Sequence, residues 1–376
     1  MAEASLFPTR RLRGTPFTKR VQAAGVSGYT VYNHMLLPTM FKSLEEDYAH
    51  LKQYAQIWDV SAERQVQIEG PDAHRLACMI SARDLRNAQP GRCYYAPITN
   101  QNGGLLNDPV ALCIAPDKYW FSIADGDLLL WVAGLAQGLN LNVTITEPDV
   151  SPLAIQGPMA EDLLVDVFGP EIRDIKFFRF TAFPFMGRML NIARSGWSKQ
   201  GGFEIYLDDS TLGCALWDTI TAKGESYNLR AGCPNLIERL ESGLLGYGND
   251  MTSENTPLEI GLDKYCALDN DAEFIGKEAL LRQRDAGITK KLMGLTLAGP
   301  PMAPVSMPLQ CNAGQSDVGI VTSGVYSPDL NDNICFAMLD IAAAELGNTI
   351  TVETMTGTVD ATVCNISDFE ARLKAR

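Results

Sequence analysis

The chain has 376 residues and a mass of 41.1 kDa, and 46% of its residues are hydrophobic, which is enough for two or three domains with apolar cores. Asp and Glu number 45 against 31 for Lys and Arg, so the formal net charge is −14, and such an acidic chain repels the phosphate backbone of nucleic acids. No apolar run approaches the roughly 18–20 residues of a transmembrane helix, and the basic segment Met1–Arg20 lacks the apolar stretch of a secretory signal. We therefore expect a soluble, cytoplasmic protein without nucleic-acid or membrane partners, whose basic N-terminal arm lies on the surface.

The first half of the chain alternates short strand patterns with helix patterns. Ser43 is a suitable N-cap for a helix, and the helical pattern that follows places His50 on a solvated face. Two runs on either side of the turn residues 100–104 predict an antiparallel hairpin. The predicted strands cover 66–68, 94–98 and 110–114, and the predicted helices cover 43–57, 72–80 and 127–137.

A short pattern occurs twice along the chain. Gln67–Ala73 and Ala154–Ala160 both run from a strand pattern through Gly-Pro into the start of a helix. The repetition indicates either two related α+β lobes or two ordinary strand-to-helix turns, and these residues favour neither interpretation.

Beyond Lys290 the helix patterns thin out and short β-rich runs take their place. Gly and Pro punctuate these runs, which is typical of a small antiparallel barrel or roll. The predicted strands cover 292–297, 318–323, 334–339 and 349–352, and we expect a domain boundary near residue 286, after a helix over 276–285.

Cysteine and histidine argue against several kinds of chemistry. The nine cysteines form no Cys-x-x-Cys pair, and their odd number argues against a disulfide framework as well as a structural zinc site. The three histidines, His34, His50 and His74, are too few for most metal enzymes or for Ser-His-Asp chemistry, and we expect His74 on a solvated face too. We therefore expect no metal site.

Three polar segments carry candidate functional residues. Asp108 follows two glycines at the start of a strand, where it could hold a ligand nitrogen or, as the spacing favours, cap a turn. Glu204 shares one strand face with Tyr206 and either points inward or lies on an exposed edge. The third segment resembles a helix start, and its Glu238 and Arg239 could be surface charges.

A set of short motifs resembles the aminomethyltransferase (glycine-cleavage T-protein) family of folate-dependent proteins over nearly the whole chain. Each motif is weak alone, but their order and spacing make the resemblance specific. The motifs are Asp59-Val60-Ser61, the Gly-Gly-x-x-x-Asp of Gly103 to Asp108, Ile155-Gln156-Gly157-Pro158, Gly202-Phe203-Glu204, Leu240-Glu241, Tyr247-Gly248, Phe274 to Leu280, and Gly319 to Gly324 with Ser327-Pro328.

The resemblance implies an α+β fold of three lobes, two of them α+β and the last a C-terminal β-rich barrel or roll. It places a discontinuous folate-binding lobe at 1–60 plus 149–285, an inserted lobe at 61–148 and the barrel-like lobe at 286–376. Tetrahydrofolate, the expected one-carbon acceptor, would lie between the lobes beside a small-molecule substrate. The resemblance leaves open whether the protein forms a homodimer.

The resemblance also implies roles for individual residues. It implies that Tyr95, Glu204 and Tyr247 bind the folate and that Asp108 is the catalytic residue, near the reacting nitrogen.

The chain departs from the glycine-cleavage pattern at several pocket positions. Ser61-Ala62-Glu63 replaces Ser-His-Met, Gly196-Trp197-Ser198-Lys199 replaces Gly-Tyr-Thr-Gly, and Asn235 stands at the position of an arginine. The acceptor positions persist, so the resemblance implies the same acceptor and a different donor. Runs such as Gly91–Tyr95 and Gly232–Arg239 resemble a branch of the family that takes a methyl group from the sulfonium compound dimethylsulfoniopropionate.

The chemistry of a sulfonium donor suits this sequence. The methyl group has a neutral leaving group, so transfer requires positioning of donor and acceptor rather than a metal or a histidine. Aromatic faces attract a cation, and Tyr32, Tyr206 and Trp197 are the expected donor contacts, with Tyr95 also a candidate. A carboxylate at Asp108 would stabilise the positive charge that arrives at the acceptor nitrogen. The expected products are 5-methyltetrahydrofolate and methylmercaptopropionate.

Two other functions remain open. A glycine-cleavage aminomethyltransferase takes its carbon from a lipoyl carrier protein, and Trp197 and Asn235 argue against that reaction here. A non-catalytic folate-binding protein of iron–sulfur maintenance would carry a Lys-Gly-Cys-Tyr-x-Gly-Gln-Glu motif, whose cysteine is missing from Phe274-Ile275-Gly276-Lys277-Glu278.

Overall fold

A computed structural model of the chain describes residues 9, 11–305 and 307–375. Residues 1–8 and 10 of the predicted surface arm lie outside the described residues. In the part that is described, no helix has both the length and the apolar character needed to cross a membrane. The helices are α1 Thr18–Ala23, α2 Leu44–Leu51, α3 Ala73–Ile80, α4 Leu128–Gly138, α5 Ala160–Phe168, α6 Gly213–Gly224, α7 Leu236–Glu241, α8 Lys277–Ala286 and α9 Ser367–Lys374.

The strands fall into a first group before α5 and a second group after it. The first group is β1 Gly28–Tyr32, β2 Met35–Met40, β3 Gln56–Asp59, β4 Gln65–Glu69, β5 Arg92–Tyr95, β6 Ile98–Thr99, β7 Leu105–Asn107, β8 Val110–Ala115, β9 Lys118–Ser122, β10 Thr144–Thr146 and β11 Ser151–Gln156. The second group is β12 Phe180–Phe185, β13 Arg188–Ala193, β14 Gly202–Leu207, β15 Arg230–Gly232, β16 Lys290–Leu297, β17 Leu309–Ala313, β18 Ser316–Ser327, β19 Asp332–Asp340, β20 Thr349–Thr354 and β21 Gly357–Cys364.

The predicted elements of the first half are present, with two changes. The strand predicted over 94–98 is divided, because β5 ends at Tyr95 and β6 begins at Ile98. Ser43 caps α2 by accepting a hydrogen bond from the Glu46 backbone N–H, as its position predicts. The helix predicted over 43–57 ends at Leu51, because the buried residues that follow form β3 in the interior of a sheet.

A six-stranded sheet in the order β12-β13-β14-β11-β3-β15 carries the first core. Its strands are antiparallel except β15, which runs parallel to β3. Helices α1, α5 and α6 cover one face, where Leu163, Phe203 and Trp217 are buried together. Because successive residues of a strand point to opposite faces, Glu204 and Tyr206 of β14 point away from that core.

A five-stranded sheet in the order β10-β4-β9-β8-β5 packs against the opposite face of the first sheet. Helices α3 and α4 cover its outer face. On its inner face Leu112 and Trp120 pack with Phe180 and Tyr206 of the six-stranded sheet. The ring centroids of Trp120 and Tyr206 are 6.3 Å apart. The face of β14 that carries Glu204 therefore lies between two sheets.

The repeated Gly-Pro pattern has the same structure in both copies. Strand β4 leads through Gly70 into α3, and β11 leads through Gly157 into α5. Both glycines have positive φ, and an added Cβ would lie 2.7 Å from the Asn142 carbonyl oxygen at Gly70 and 2.0 Å from that of Tyr54 at Gly157. Only glycine fits this point of either strand-to-helix turn.

The C-terminal strands close into a barrel in the order β16-β19-β18-β17-β20-β21. Leu295, Val321, Ala337 and Val352 belong to its buried core. The predicted α+β fold with a C-terminal β-barrel-like lobe is therefore confirmed, while the residue limits predicted for the three lobes stay a prediction. The strands β17 and β21 were not predicted, although apolar residues alternate with polar ones in both, as Leu309 and Cys311 do in β17 and Val359, Ala361 and Val363 do in β21.

The prediction that His50 and His74 lie on solvated faces is wrong. His50 is 6% exposed, and its Nε2 lies 2.9 Å from the carbonyl oxygen of Asn228. His74 is half-buried, with Nδ1 2.7 Å from the hydroxyl oxygen of Tyr119. Segments distant in the sequence cover these helix faces, which a helical pattern alone does not show.

Candidate active site

Asp108 and Tyr95 meet at one end of the five-stranded sheet. Tyr95 is the last residue of β5, and Asp108 precedes β8, the strand that pairs with β5. The Tyr95 hydroxyl donates a hydrogen bond to Asp108 Oδ2 at 2.8 Å, and Asp108 Oδ1 is buried without a partner among the described residues. Burial raises the pKa of Asp108 to about 7, although the hydrogen bond from Tyr95 lowers it. A buried carboxylate oxygen with no protein partner is a group that a ligand can satisfy.

Glu204 is 7% exposed, so the alternative of a surface position is wrong. Ser195 Oγ donates to its Oε2 at 2.5 Å, and the Tyr206 hydroxyl donates to the same oxygen at 3.2 Å. Burial raises the pKa of Glu204, while these two hydrogen bonds lower it. The carboxylate is thus fixed in direction before any ligand arrives.

A third acid, Glu63, belongs to the same site, and the sequence analysis assigned it no role. It follows β3 in the chain, and its side chain is half-buried. Burial raises its pKa well above the ordinary value, and the charges of Glu204 and Asp108 raise it further. Its only signal in the sequence is the departure from the family pattern at Ser61-Ala62-Glu63. We call Glu63, Asp108 and Glu204 the acid cluster.

Tyr32 reaches the acid cluster from the tip of the β1–β2 hairpin. Burial raises its pKa well above the ordinary value, and the charges of Glu63 and Asp108 add to this effect. The tip is fixed by the neighbouring Asn33, whose side-chain amide donates to the carbonyl oxygen of Ala62 at 2.9 Å. The hairpin thereby holds an aromatic ring beside the acids.

Tyr247 and Tyr265 complete the aromatic surroundings of Asp108. The Tyr247 hydroxyl donates to the Leu105 carbonyl oxygen at 3.1 Å, and the charge of Asp108 contributes to its raised pKa, after burial. Tyr265, which the sequence analysis did not single out, packs edge-on against Tyr95 with ring centroids 4.9 Å apart. The structure therefore brings the predicted residues Tyr32, Tyr95, Tyr206 and Tyr247 to one cluster.

Trp197 has a different environment from the tyrosines. The guanidinium carbon of Arg239 lies 5.8 Å from its ring centroid, and Arg239 also pairs with Asp250 at 2.7 Å. The suggestion that Glu238 and Arg239 are surface charges is wrong, because they are 1% and 4% exposed. Helix α7 has six residues, and a sequence pattern of that length is too short to predict which face of the helix is buried.

Asn235 has a structural position at the start of α7. Its side-chain oxygen accepts hydrogen bonds from the backbone N–H groups of Ile237 and Glu238, and its amide donates to the Leu44 carbonyl oxygen at 2.9 Å. An asparagine here is therefore explained by helix capping.

The acid cluster has no positively charged partner in the described part of the chain. Arg64, the residue after Glu63, pairs instead with Glu147 at 2.9 Å. Partly buried acids without a counter-charge create a negative potential, and the surrounding tyrosine rings attract cations as well. The arrangement suits a ligand that carries a positive charge.

Two family descriptions match the chain over separate segments. Residues 17–270 match the GCVT N-terminal domain, and residues 290–366 match the glycine cleavage T-protein C-terminal barrel domain. The second segment contains all six strands of the closed barrel, which run from Lys290 to Cys364.

Curated proteins are similar to the chain along most of its length. A dimethylsulfoniopropionate demethylase from Ruegeria pomeroyi is 52% identical over 361 residues, which cover 96% of this chain and 98% of the relative. An aminomethyltransferase from Listeria welshimeri is 31% identical over 319 residues, which cover 84% of this chain and 87% of the relative.

A solved structure has the same fold. The crystal structure of glycine cleavage system aminomethyltransferase T from Bartonella henselae superimposes with a TM-score of 0.85 at 22% identity, covering 96% of this chain and 98% of the other. With two matching family domains and a relative at 52% identity, the chain belongs to the glycine cleavage T-protein (aminomethyltransferase) family.

Proposed function

We propose that the protein demethylates dimethylsulfoniopropionate, transferring the sulfonium methyl group to N5 of tetrahydrofolate. The products are 5-methyltetrahydrofolate and methylmercaptopropionate. The observation that carries the proposal is the 52% identity to a dimethylsulfoniopropionate demethylase, whereas seven aminomethyltransferases that are similar to this chain are 28–31% identical to it.

The residues present fit a bound folate. Glu204 offers a fixed, buried carboxylate that can accept hydrogen bonds from ring N–H groups, and Asp108 Oδ1 lacks a partner within the described residues. Tyr95 and Tyr247 flank Asp108 and would bind the same ligand. Tetrahydrofolate, when bound, supplies the nucleophilic nitrogen that accepts the methyl group.

The same residues fit the charge changes of the reaction. As N5 of the folate forms a bond to the methyl carbon, the sulfur–carbon bond breaks with its electron pair going to sulfur, so the donor leaves as a thioether whose sulfur is neutral. Positive charge then develops on the acceptor side, where an ionised Asp108 stabilises it and Oδ1 can take up a proton. Tyr32 and Tyr206 would face the donor cation. The predicted contact of Trp197 with the donor stays a prediction, because its ring lies beside the Arg239 guanidinium.

Glycine-cleavage aminomethyl transfer is the second candidate. It is supported by the 31% identity to the Listeria welshimeri aminomethyltransferase and by the fold shared with the Bartonella henselae protein. The acid cluster does not separate the two reactions, because both use a folate acceptor.

One assay separates the candidates. The purified protein is incubated with tetrahydrofolate and, in parallel, dimethylsulfoniopropionate, other sulfonium and betaine compounds, or an aminomethyl-lipoyl carrier protein, and the folate is analysed by mass spectrometry. We expect 5-methyltetrahydrofolate with dimethylsulfoniopropionate. Methylenetetrahydrofolate from the carrier protein alone would favour the second candidate. Folate binding without any reaction would favour the non-catalytic function.

A further inference from the structure

We propose that the carboxylate of Glu63 binds the positively charged centre of the methyl donor, a role that rests on the proposed function and names the residue that recognises the donor. This assignment follows from the position of Glu63, from the bonds of the other two acids and from the charges around it.

The backbone on both sides of Glu63 is fixed, whereas its carboxylate is not. The Glu63 N–H donates to the Val60 carbonyl oxygen at 2.9 Å, and the Glu63 carbonyl oxygen accepts from the Gln65 side chain at 2.9 Å. The Asn33 side-chain amide donates to the carbonyl oxygen of the preceding residue, Ala62, at 2.9 Å and to that of Ala124 at 3.1 Å. The Ala124 N–H donates in turn to the Asn107 side-chain oxygen at 3.0 Å, so hydrogen bonds link the residue before Glu63 to the residue before Asp108. Among the described residues, no hydrogen bond or ion pair reaches the Glu63 carboxylate, so this turn presents an uncommitted acid to the site.

The two other acids of the cluster are already engaged. Asp108 accepts from Tyr95, and Glu204 accepts from Ser195 and Tyr206. Their bonded geometry suits ligand groups that donate hydrogen bonds. A sulfonium centre has no N–H or O–H to donate, and it needs a nearby negative charge and aromatic faces instead. Glu63 is the acid of the cluster that meets this need.

Within residues 9, 11–305 and 307–375, the groups that face Glu63 belong to different elements and none is cationic. Glu204 from β14 and Asp108 from the segment before β8 oppose its ionisation. Burial is the main cause of the raised pKa of Tyr32 and Tyr206, and the charge of Glu63 contributes to it. Without a ligand, burial and the charges of these two acids raise the pKa of Glu63 well above its ordinary value. The side chain therefore stays protonated to a higher pH than a free glutamate does. A bound cation favours the ionised form, so donor binding is expected to release a proton.

Two charge variants test the role of Glu63. Glu63→Gln keeps the shape and removes the charge, while Glu69→Gln makes the same change at an exposed glutamate of β4 that pairs with Lys118. We expect Glu63→Gln to raise the KM for dimethylsulfoniopropionate by about tenfold or more and to leave the folate Kd within about twofold. Glu69→Gln is expected to match the wild type, and Glu63→Asp is expected to retain part of the donor affinity.

Calorimetry without folate gives a second readout that a purely structural role would not move. Dimethylsulfoniopropionate is titrated near neutral pH in two buffers of different ionisation enthalpy, which measures the protons released on binding. We expect release by the wild type and less by Glu63→Gln. Equal KM values and equal proton release in the two proteins would overturn the proposal. So would a change in the folate Kd that exceeds the change in donor KM.

Failure of this proposal is distinguishable from failure of the proposed function. If the wild type binds the sulfonium cation in a Glu63-dependent way but transfers no methyl group, the recognition role stands and the reaction is wrong. If the wild type turns over and Glu63→Gln behaves identically, the reaction stands and the recognition role is wrong. If the wild type does not bind the cation, both are wrong.

Discussion

Asp108 is half-buried with one buried carboxylate oxygen and Glu204 is buried, and the bonding of the two carboxylates suits different tasks. Glu204 Oε2 has two donors in the protein, whereas Asp108 Oδ1 has none within the described residues. A fixed acid anchors a ligand equally before and during reaction, while an acid with an unpartnered oxygen can respond to charge that develops beside it.

Asp108→Asn is expected to lower kcat by roughly 10–1000-fold, by analogy with the loss of one preorganised electrostatic contact. The folate Kd should change much less, because the amide keeps the shape of the side chain. Asp117→Asn, at an exposed aspartate of the β8–β9 turn, is the matched control. Steady-state kinetics with both substrates checks this, and a wild-type kcat in Asp108→Asn would reduce Asp108 to a turn residue.

The pH profile of kcat is expected to follow Asp108. Its pKa is raised to about 7, so the carboxylate is protonated below that pH and ionised above it. Because the ionised form stabilises the transition state, kcat should rise as the pH increases through about 7 and then level off. In Asp108→Asn this rise should disappear. An unchanged profile in the variant would assign the titration to another group.

Glu204→Gln is expected to weaken folate binding about tenfold or more, since a charge-assisted hydrogen bond contributes roughly 1.5–3 kcal/mol. The effect on kcat should be smaller, because the contact is made equally in the ground and transition states. Fluorescence titration with tetrahydrofolate measures the Kd, with Glu225→Gln at an exposed position as control. Identical titrations would remove Glu204 from the folate site.

At the scale of elements, the sequence predicts best those features that a single local pattern determines, such as the alternation of side chains along a strand or a turn motif. Because side chains alternate between the two faces of β14, assigning Phe203 to the helix-covered core places Glu204 on the opposite face. The Gly-Pro pattern marks two strand-to-helix turns. The position of Glu63 could not be predicted, because its neighbours come from β14 and from the segment before β8. The burial of Arg239 was missed for a similar reason, since its partner Ser323 lies in β18.

The β1–β2 hairpin carries a prediction of its own. Asn33 has a left-handed backbone conformation with φ +51°, and its side chain bonds Ala62, Ala124 and Gly126. Asn33→Gly removes these bonds without backbone strain. It should lower the free energy of unfolding by about 1–3 kcal/mol and raise the donor KM, because Tyr32 loses its support.

Asn140→Gly is the matched control for that variant. Asn140 has the same φ of +51° and an exposed side chain, so its replacement by glycine should change stability much less. Denaturant unfolding of both variants makes the comparison. Equal destabilisation would show that the hydrogen bonds of Asn33 contribute nothing.

At the scale of the whole molecule, we propose the division into a discontinuous lobe of residues 1–60 plus 149–285, an inserted lobe of 61–148 and a third lobe of 286–376. The six-stranded sheet takes its strands from the first set, and the five-stranded sheet lies within the second. The exposed residues Gly287 and Thr289 lie between α8 and the barrel. Limited proteolysis of the full chain should therefore cut first near these residues. First cuts inside either sheet would contradict the division.

The central claim concerns the origin of the transferred carbon, and isotope labelling tests it most directly. The protein is incubated with tetrahydrofolate and dimethylsulfoniopropionate whose two sulfonium methyl groups carry deuterium in place of hydrogen. Direct methyl transfer predicts 5-methyltetrahydrofolate with all three deuterium atoms retained, formed in step with methylmercaptopropionate that keeps the other labelled methyl group. Unlabelled folate product, or labelled thioether formed without methylated folate, would contradict it.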